Sequence, residues 1–250
     1  MTDAPHFAHE RPSGIRELMD DLGAALAGRT NTLMLGGGNP ARVPAAERLW
    51  RRRMEELLQE GDRFERLLGL YEEPQGCPAF RDALAHTLRE QYGWPVTSDH
   101  IALTNGSQGA VYYLAQLLAG RRGRVWLPMA PEYIGYADLL DRTGWLAAGR
   151  PRIEPHGGRQ FKYRLSGEEP PPDAVAILLS RPTNPTGNVV TTDELGWLDE
   201  LAAARDIPLI VDGAYGPPFP NIMAGKVTPF WSERVLWLLS LSKLGLPGVR

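Results

Sequence analysis

The sequence predicts an α/β fold built on a mostly parallel central sheet with helices on both faces. Short apolar runs alternate with helical patterns over most of the 250 residues, and this alternation is typical of such sheets. Five of the runs are bounded by polar or turn residues and have the composition of strands buried on both faces. They are HIALT, RVWLP, AVAILLS, IPLIVD and VLWLLSL.

Three helices are predicted ahead of these strands. In SGIRELMDDLGAALAG the apolar residues recur at helical spacing, and Gly28 supplies a stop. AERLWRRRMEELLQEG carries few apolar residues on a charged background, so we expect a solvated helix. PAFRDALAHTLREQYG opens with Pro78, and proline is well tolerated at a first helical position. The intervening LGGGNPARVPA is predicted to be a loop.

Two further helices are predicted between the strands. SQGAVYYLAQLLAG has apolar residues at i, i+3, i+4 and i+7, and TTDELGWLDELAAARD begins with a capping box from Thr191 to Glu194. Residues 151–173 are rich in glycine, proline and charge, which predicts an excursion on the surface. The length allows one large domain or two smaller ones.

Composition argues against several classes of function. The net charge is −3 with both signs interspersed, so there is no electrostatic footprint for nucleic acid or an anionic membrane. The five histidines are scattered without paired ligand spacing, so no metal site is expected. Cys77 is the only cysteine and fits a reducing cytoplasm, and the opening MTDAPHFAHERPSG lacks the order of a signal peptide. We expect a cytoplasmic protein that acts on a small molecule.

Two ionisable residues stand at predicted strand ends, where open α/β sheets bind their ligands. Asp212 directly follows a buried apolar run, and a carboxylate at such a place needs a partner. Lys243 follows VLWLLSL, and an ammonium group at such a place also needs a partner. Partly desolvated lysines have a depressed pKa and form imines readily. The sequence therefore predicts reactive chemistry at this edge of the sheet.

The other strand ends carry weaker signals with two interpretations each. Gly106-Ser107-Gln108 opens a helix and is compatible with a phosphate site or simply with the geometry of a strand-to-helix turn. The aromatic pair in PEYIGY has packing as its ordinary role. The double-proline segment RPTNPTGN is compatible with a rigid connector into the capped helix.

Together these residues meet the requirements of one cofactor, pyridoxal phosphate. It needs a lysine for its aldehyde, an acid for its ring nitrogen, donors for its phenolic oxygen and a cradle for its phosphate. The chain offers a candidate for each in Lys243, Asp212, Asn184 with Tyr215, and Gly106-Ser107-Gln108 with Ser240 and Arg250.

At these residues the sequence resembles the fold-type I aminotransferases of class I/II. The motifs NPTGN, DxAY and SxSKxGxPGxR occur in this order, and the likeness runs over nearly the whole chain. The opening PSGIRELMDDLGAAL with MLGGGNPARVP resembles one subgroup, the valine–pyruvate aminotransferases. The resemblance implies the fold predicted above, and it assigns residues 1–45 to the small domain and a substrate-side loop and residues 46–250 to the cofactor-binding large domain.

The resemblance implies a role for each candidate residue. Lys243 looks like the lysine that bonds to the cofactor and carries a proton, and Asp212 like the acid beside the ring nitrogen. Asn184 and Tyr215 are similar to the pair that binds the ring oxygen, and Tyr133 to the aromatic that stacks on the ring. The phosphate-side positions matched are Ser107, Gln108, Ser240, Ser242 and Arg250.

Further implications concern the substrate, the partner and the length. Gly38, together with Asn184, resembles the substrate side of the site, although GGG at 36–38 is also compatible with a flexible entry loop. Tyr71 resembles a tyrosine that reaches the phosphate of a partner subunit, which implies a homodimer. Family members continue beyond Arg250, so the resemblance implies a truncated large domain, an incomplete small domain and a missing arginine for the substrate carboxylate.

The function expected from the resemblance is amino transfer between an L-amino acid, valine or alanine, and a 2-keto acid, pyruvate or 2-ketoisovalerate. Two alternatives use the same residues. One is a pyridoxal-phosphate-dependent carbon–sulfur lyase, and the other is a non-catalytic domain that senses the cofactor. The second predicts a DNA-binding region ahead of the domain, whereas the acidic SGIRELMDDL begins almost at the N-terminus.

Overall fold

The computed structural model describes residues 13–28, 39–119, 123–140, 144–223, 225 and 227–248. The helices in these ranges are α1 Gly14–Leu26, α2 Pro44–Gln59, α3 Arg63–Gly69, α4 Pro78–Tyr92, α5 Gly106–Ala119, α6 Ile134–Leu140 and α7 Thr192–Ala204. The strands are β1 Arg124–Leu127, β2 Leu146–Ala148, β3 Arg152–Pro155, β4 Phe161–Arg164, β5 Ala174–Ser180, β6 Leu209–Asp212 and β7 Val235–Leu238.

Five strands form one parallel sheet in the order β2-β1-β5-β6-β7. The register pairs Ser180 of β5 with Asp212 of β6, and Asp212 with Leu238 of β7. Because parallel strands point the same way, their carboxyl ends meet at one edge of the sheet. That edge receives the segments that follow β5, β6 and β7.

Helices cover both faces of this sheet, as predicted. On one face α7 buries its apolar side against β5 and β6, with Leu195 and Leu198 packed on Leu179 and Val211. Successive strand residues point to opposite faces. Ala176, Leu178 and Ile210 therefore face the other way, where they form a second core with α5 and α6.

The predicted helices are confirmed. Helix α2 buries none of its residues, as its charged sequence predicts. Pro78 is the first residue of α4. The capping box of α7 is present: the Glu194 backbone N–H donates to Thr191 Oγ1 at 3.1 Å, and the Thr191 N–H donates to the Glu194 carboxylate at 2.9 Å. No helix in the described ranges is long and apolar enough to cross a membrane.

One predicted strand is wrong. Residues 101–104 of HIALT belong to no sheet, and the Leu103 N–H donates to the Gln75 carbonyl at 2.9 Å. An apolar run has the side chains of a strand, but a strand also needs a neighbouring backbone with which to form hydrogen bonds. This segment bonds instead to the loop before α4. The prediction for residues 151–173 is incomplete, since β3 and β4 form an antiparallel hairpin there. Helices α3 and α6 and strand β2 were not predicted.

Candidate active site

Asp212, the last residue of β6, is a buried carboxylate at the edge of the sheet where the strands end. Only 6% of the residue is exposed. The Tyr136 hydroxyl donates to its Oδ2 at 2.7 Å, and the Ala214 backbone N–H donates to its Oδ1 at 2.9 Å. Burial raises the pKa of Asp212, and these two hydrogen bonds oppose the rise. The anion is thus only partly compensated, and a cationic partner would stabilise it.

Lys243 lies in a 3₁₀ turn, Ser242–Leu244, that follows β7. Its Nζ is 5.1 Å from the centre of the Tyr215 ring. Tyr215 comes three residues after Asp212, and the Gly213 N–H donates to the Leu238 carbonyl at 2.9 Å, which joins the ends of β6 and β7. The structure therefore brings Lys243, Tyr215 and Asp212 to the carboxyl ends of two neighbouring strands.

Ser240 and Ser242 lie on the approach to Lys243. The Ser242 backbone N–H donates to Ser240 Oγ at 3.2 Å, and both residues are partly buried. This bond bends the chain between β7 and the 3₁₀ turn, so Ser240 contributes to the position of the lysine whatever else it binds.

Asn184 belongs to a tight turn that follows β5. The Asn184 N–H donates to Ser180 Oγ at 3.2 Å, and the turn is closed by bonds from the Gly187 N–H to the Thr183 carbonyl and from the Thr183 N–H to the Asn188 carbonyl, both 2.7 Å. Since Ser180 is paired with Asp212 in the sheet, the turn lies beside the buried acid.

Arg181, which precedes this turn, is buried and makes hydrogen bonds to the segments around it. It is 1% exposed; its Nε donates to the Val190 carbonyl at 2.8 Å, and one Nη donates to the Thr228 carbonyl at 3.2 Å. Burial lowers the pKa of Arg181 to about 10, with Glu194 opposing the shift. Its backbone N–H donates to the Asp212 carbonyl at 2.8 Å, so the NPTGN segment is held rigidly against β6. The segment does connect β5 to the capped helix α7, and it also lies beside Asp212.

The aromatic pair in PEYIGY lies at the start of α6. The rings of Tyr133 and Tyr136 meet edge to face, with 5.5 Å between their centres. Burial raises the pKa of Tyr133, and the charges of Asp212 and Tyr215 raise it further. A Cβ at the buried Gly135 would collide with the Gln108 amide and the Tyr133 ring, so glycine is required and Gln108 lies beside Tyr133.

Ser107 is in the first turn of α5 and carries an unsatisfied polar atom. Its Oγ is buried and has no hydrogen-bond partner among the described residues. Such a group costs roughly 1–3 kcal/mol relative to a satisfied one. Gly106 opens the helix with φ +81°, a conformation that favours glycine. A helix N-terminus with a spare hydroxyl donor is suited to an anionic oxygen.

One predicted residue lies away from the site, and two others lie outside the described residues. Tyr71 is fully exposed in the segment between α3 and α4. Gly38 and Arg250 lie outside the described residues, so their predicted roles stay predictions. Within the described ranges no group of three or more metal-ligating side chains could hold a metal ion.

Two residues that the sequence analysis did not single out belong to the site. Tyr136, interpreted as packing, is the hydroxyl donor to Asp212. Glu132 lies next to Tyr133, and its carboxyl accepts from the Ser180 backbone N–H at 3.1 and 3.2 Å and from the Ser180 hydroxyl. Burial raises the pKa of Glu132 to about 8; bonds from Ser180 oppose the rise and the Asp212 charge adds to it. The sequence signal that could have identified Glu132 is an acidic residue next to Pro131, shortly after an apolar strand.

Fold and site agree with one class of transferase. The chain belongs to the class I and II aminotransferases, whose family model matches residues 49–250.

Two relatives with similar sequences are a valine–pyruvate aminotransferase and a 1-aminocyclopropane-1-carboxylate synthase. The valine–pyruvate aminotransferase of Escherichia coli K12 is 45% identical over 252 residues, which cover 96% of this chain and 59% of that protein. The 1-aminocyclopropane-1-carboxylate synthase 1 of Oryza sativa subsp. indica is 33% identical over 214 residues, 74% of this chain and 42% of that protein. The chain thus spans less than two thirds of the length of these relatives.

Solved structures confirm the predicted fold class. The valine–pyruvate aminotransferase of Salmonella typhimurium LT2 has a TM-score of 0.80 at 44% identity and is matched over 94% of this chain and 58% of its own. A putative amino-acid aminotransferase of Psychrobacter arcticum 273-4 has a TM-score of 0.85 at 42% identity, over 95% of this chain and 60% of its own.

Proposed function

We propose that the protein transfers an amino group between an L-amino acid and a 2-keto acid with pyridoxal phosphate as cofactor. The observation that carries the proposal is the convergence of Lys243, over the Tyr215 ring, with the buried Asp212 at the carboxyl ends of adjacent parallel strands. An amine and an acid in one partly dry site are the two groups that this cofactor requires of a protein.

The residues present fit the cofactor. Asp212 is a buried anion whose compensation is incomplete, and a protonated ring nitrogen would supply the missing positive charge. The unpartnered Ser107 hydroxyl at the start of α5 would donate to a phosphate oxygen, with Gln108 and Ser240 as further phosphate-side candidates. Bound in this way, pyridoxal phosphate supplies an electron-withdrawing ring that stabilises negative charge at the substrate Cα.

The chain's own residues perform the remaining tasks. Lys243 Nζ would hold the cofactor covalently and, once displaced by substrate, would take a proton from the substrate Cα and return it on the cofactor side. Asn184 and Tyr215 would hold the ring oxygen, and Tyr133 would cover a face of the ring. Asp212, kept from water by Tyr136 and the sheet, would hold the ring nitrogen in its protonated state.

We further propose valine or alanine as amino donor and pyruvate or 2-ketoisovalerate as acceptor. The support is the 45% identity to the Escherichia coli valine–pyruvate aminotransferase. The test incubates the chain with pyridoxal phosphate, valine and pyruvate and measures alanine and 2-ketoisovalerate. Formation of ammonia and pyruvate from a cysteine conjugate would favour the lyase alternative, and cofactor binding without turnover of any amino acid would favour the sensing alternative.

We propose that the protein works as a homodimer through the surface of α2, α3 and the residues that follow. Helix α2 buries nothing in one chain, although an amphipathic helix is normally covered on its apolar side. Exposed apolar side chains accumulate here, which marks an interaction surface. They are Trp50, Met54, Leu58, Leu67, Leu68, Leu70 and Tyr71. Tyr71 would then lie at the interface, where it could reach the partner's cofactor.

Sedimentation of the purified chain tests the interface. Leu68→Asp should convert a dimer into a monomer, whereas Ile153→Asp on the β3–β4 hairpin, a similarly exposed position, should leave the mass unchanged. A wild-type monomer at micromolar concentration would contradict the proposal. A cytoplasmic location and a small domain contributed by residues 1–45 are proposed on the sequence alone.

A further inference from the structure

The proposed amino-transfer chemistry gives no role to Glu132, a partly buried residue next to Tyr133. Its carboxyl lies against the end of β5, where it accepts hydrogen bonds from both the backbone N–H and the hydroxyl of Ser180. The residue precedes Tyr133 and is 48 positions away from Ser180 in the chain, so the contact joins the start of α6 to the central strand.

Ser180 connects Glu132 to the turn after β5, because its hydroxyl bonds to both. A serine hydroxyl has one proton to donate and lone pairs that accept. The Ser180 hydroxyl donates its proton to Glu132, and the same oxygen accepts the Asn184 backbone N–H at 3.2 Å. With its proton committed to Glu132, the oxygen presents a lone pair to Asn184.

We infer that Glu132 is a positioning residue that acts through Ser180 to hold Asn184 in place at the end of β5. Without the Glu132 carboxyl, the Ser180 side chain is free to change its χ1 rotamer, and when Oγ moves the Asn184 N–H loses its acceptor. The inference rests on the proposed function only for the role of the Asn184 side chain toward the cofactor.

The surroundings of Glu132 agree with this role. The ionisable groups on the elements packed around it are Asp212 on β6 and Tyr136 and Tyr133 at α6; Ser180 of β5 contributes a hydroxyl. Two carboxylates close together in a site with little water are unfavourable when both are ionised. Burial raises the pKa of both, and the bonds that Asp212 receives from a phenol and an amide oppose the rise at Asp212. The Glu132 carboxyl bonds to Ser180 and leaves the Tyr136 and Ala214 donors to Asp212.

Hydrogen exchange of the cofactor-free chain tests the relay directly. Glu132→Ala should speed exchange at the Asn184 amide by roughly five- to tenfold and leave the amides of α7 unchanged. Glu132→Gln, whose amide oxygen still accepts the Ser180 hydroxyl, should restore slow exchange. Glu200→Ala, an exposed glutamate on α7, is the matched control. Unchanged exchange at Asn184 in Glu132→Ala, or equal acceleration throughout the sheet and α7, would overturn the inference.

A second variant keeps the test decisive if Glu132→Ala does not fold. Ser180→Ala removes the acceptor itself, so it should accelerate Asn184 exchange to the same extent. Unchanged exchange at Asn184 in Ser180→Ala would contradict the relay.

A double-mutant cycle with the cofactor extends the test and separates it from the proposed function. Affinity for pyridoxal phosphate is measured for the wild type, Glu132→Ala, Asn184→Ala and the double variant. If Glu132 acts through Asn184, the double variant binds as weakly as Asn184→Ala alone; additive losses would contradict this. Borohydride labelling of wild-type Lys243 is the separate readout, because its failure would reject the cofactor proposal while the exchange result still decides the relay.

Discussion

The hydrogen bond from Tyr136 to Asp212 permits a quantitative prediction. Tyr136→Phe removes one hydroxyl and leaves the ring, which is 1% exposed and packs on Tyr133, so no large cavity forms. The 2.7 Å bond lost is a charge-assisted one to a buried carboxylate, and such bonds contribute about 1.5–3 kcal/mol. The bond is present before the cofactor binds, so its loss affects the affinity only through the charge of Asp212. Since 1.4 kcal/mol is a factor of about ten, pyridoxal phosphate should bind up to about 150-fold more weakly.

The loss should also depend on pH in a defined direction. The Tyr136 bond opposes the rise that burial causes in the pKa of Asp212, so removing it raises that pKa further. As pH falls, Asp212 in the variant becomes protonated earlier than in the wild type and loses its attraction for a cationic ring nitrogen. The ratio of the dissociation constants, variant over wild type, should therefore grow as pH is lowered.

The assay is titration of the cofactor-free chain with pyridoxal phosphate, followed by tryptophan fluorescence at several pH values. Tyr112→Phe, which removes a hydroxyl from an exposed tyrosine on α5, is the control and should bind as the wild type does. A Tyr136→Phe chain that binds within twofold of the wild type at every pH would refute the reasoning that this bond maintains the charge of Asp212.

Three further predictions follow from single contacts. Ser107→Ala removes a buried hydroxyl without a partner, so the cofactor-free chain should keep or gain up to about 1 kcal/mol of stability in urea denaturation, while its affinity for pyridoxal phosphate falls about tenfold; a loss of both would indicate a structural role instead. The pKa of Glu132 is about 8 in the folded chain against 4.5 for an ordinary glutamate, so between these values the native state holds a proton that the unfolded state releases. The free energy of unfolding of the cofactor-free wild type should therefore fall as pH rises from about 4.5 to about 8, and Glu132→Gln should flatten this fall; an equally steep fall in the variant would contradict the assignment. Thr191→Ala removes the cap of α7 and should lower the free energy of unfolding by about 1 kcal/mol, measured with urea; an unchanged midpoint would show that the Glu194 side chain alone suffices.

The central strands were predictable because continuous apolar runs are typical of strands that are covered on both faces. AVAILLS and IPLIVD are such runs; β5 buries every residue except its first, and β6 buries all four of its residues. HIALT has the same composition but lacks a paired neighbour, and composition does not encode pairing. The β3–β4 hairpin was missed for the opposite reason, since its charged, glycine-rich sequence lies at the surface and resembles a loop.

The site residues that could be predicted from the sequence are ionisable residues near the ends of strands. Asp212 ends one apolar run and Lys243 comes shortly after another, and parallel strands bring such positions to one edge. Glu132 and Tyr136 were missed because their partners are distant along the chain: 48 residues separate Glu132 from Ser180, and 76 separate Tyr136 from Asp212. Only the packing of α6 on the sheet brings them together, and no local pattern announces it.

The most direct measurement is reduction of the pyridoxal-phosphate-treated chain with borohydride, followed by mapping of the modified peptide. The amine of Lys243 over Tyr215 and the anion of Asp212 on the adjacent strand predict one modified residue, Lys243, and loss of the modification in Asp212→Ala. Modification at another lysine, or equal labelling of Lys243 in Asp212→Ala, would contradict the account.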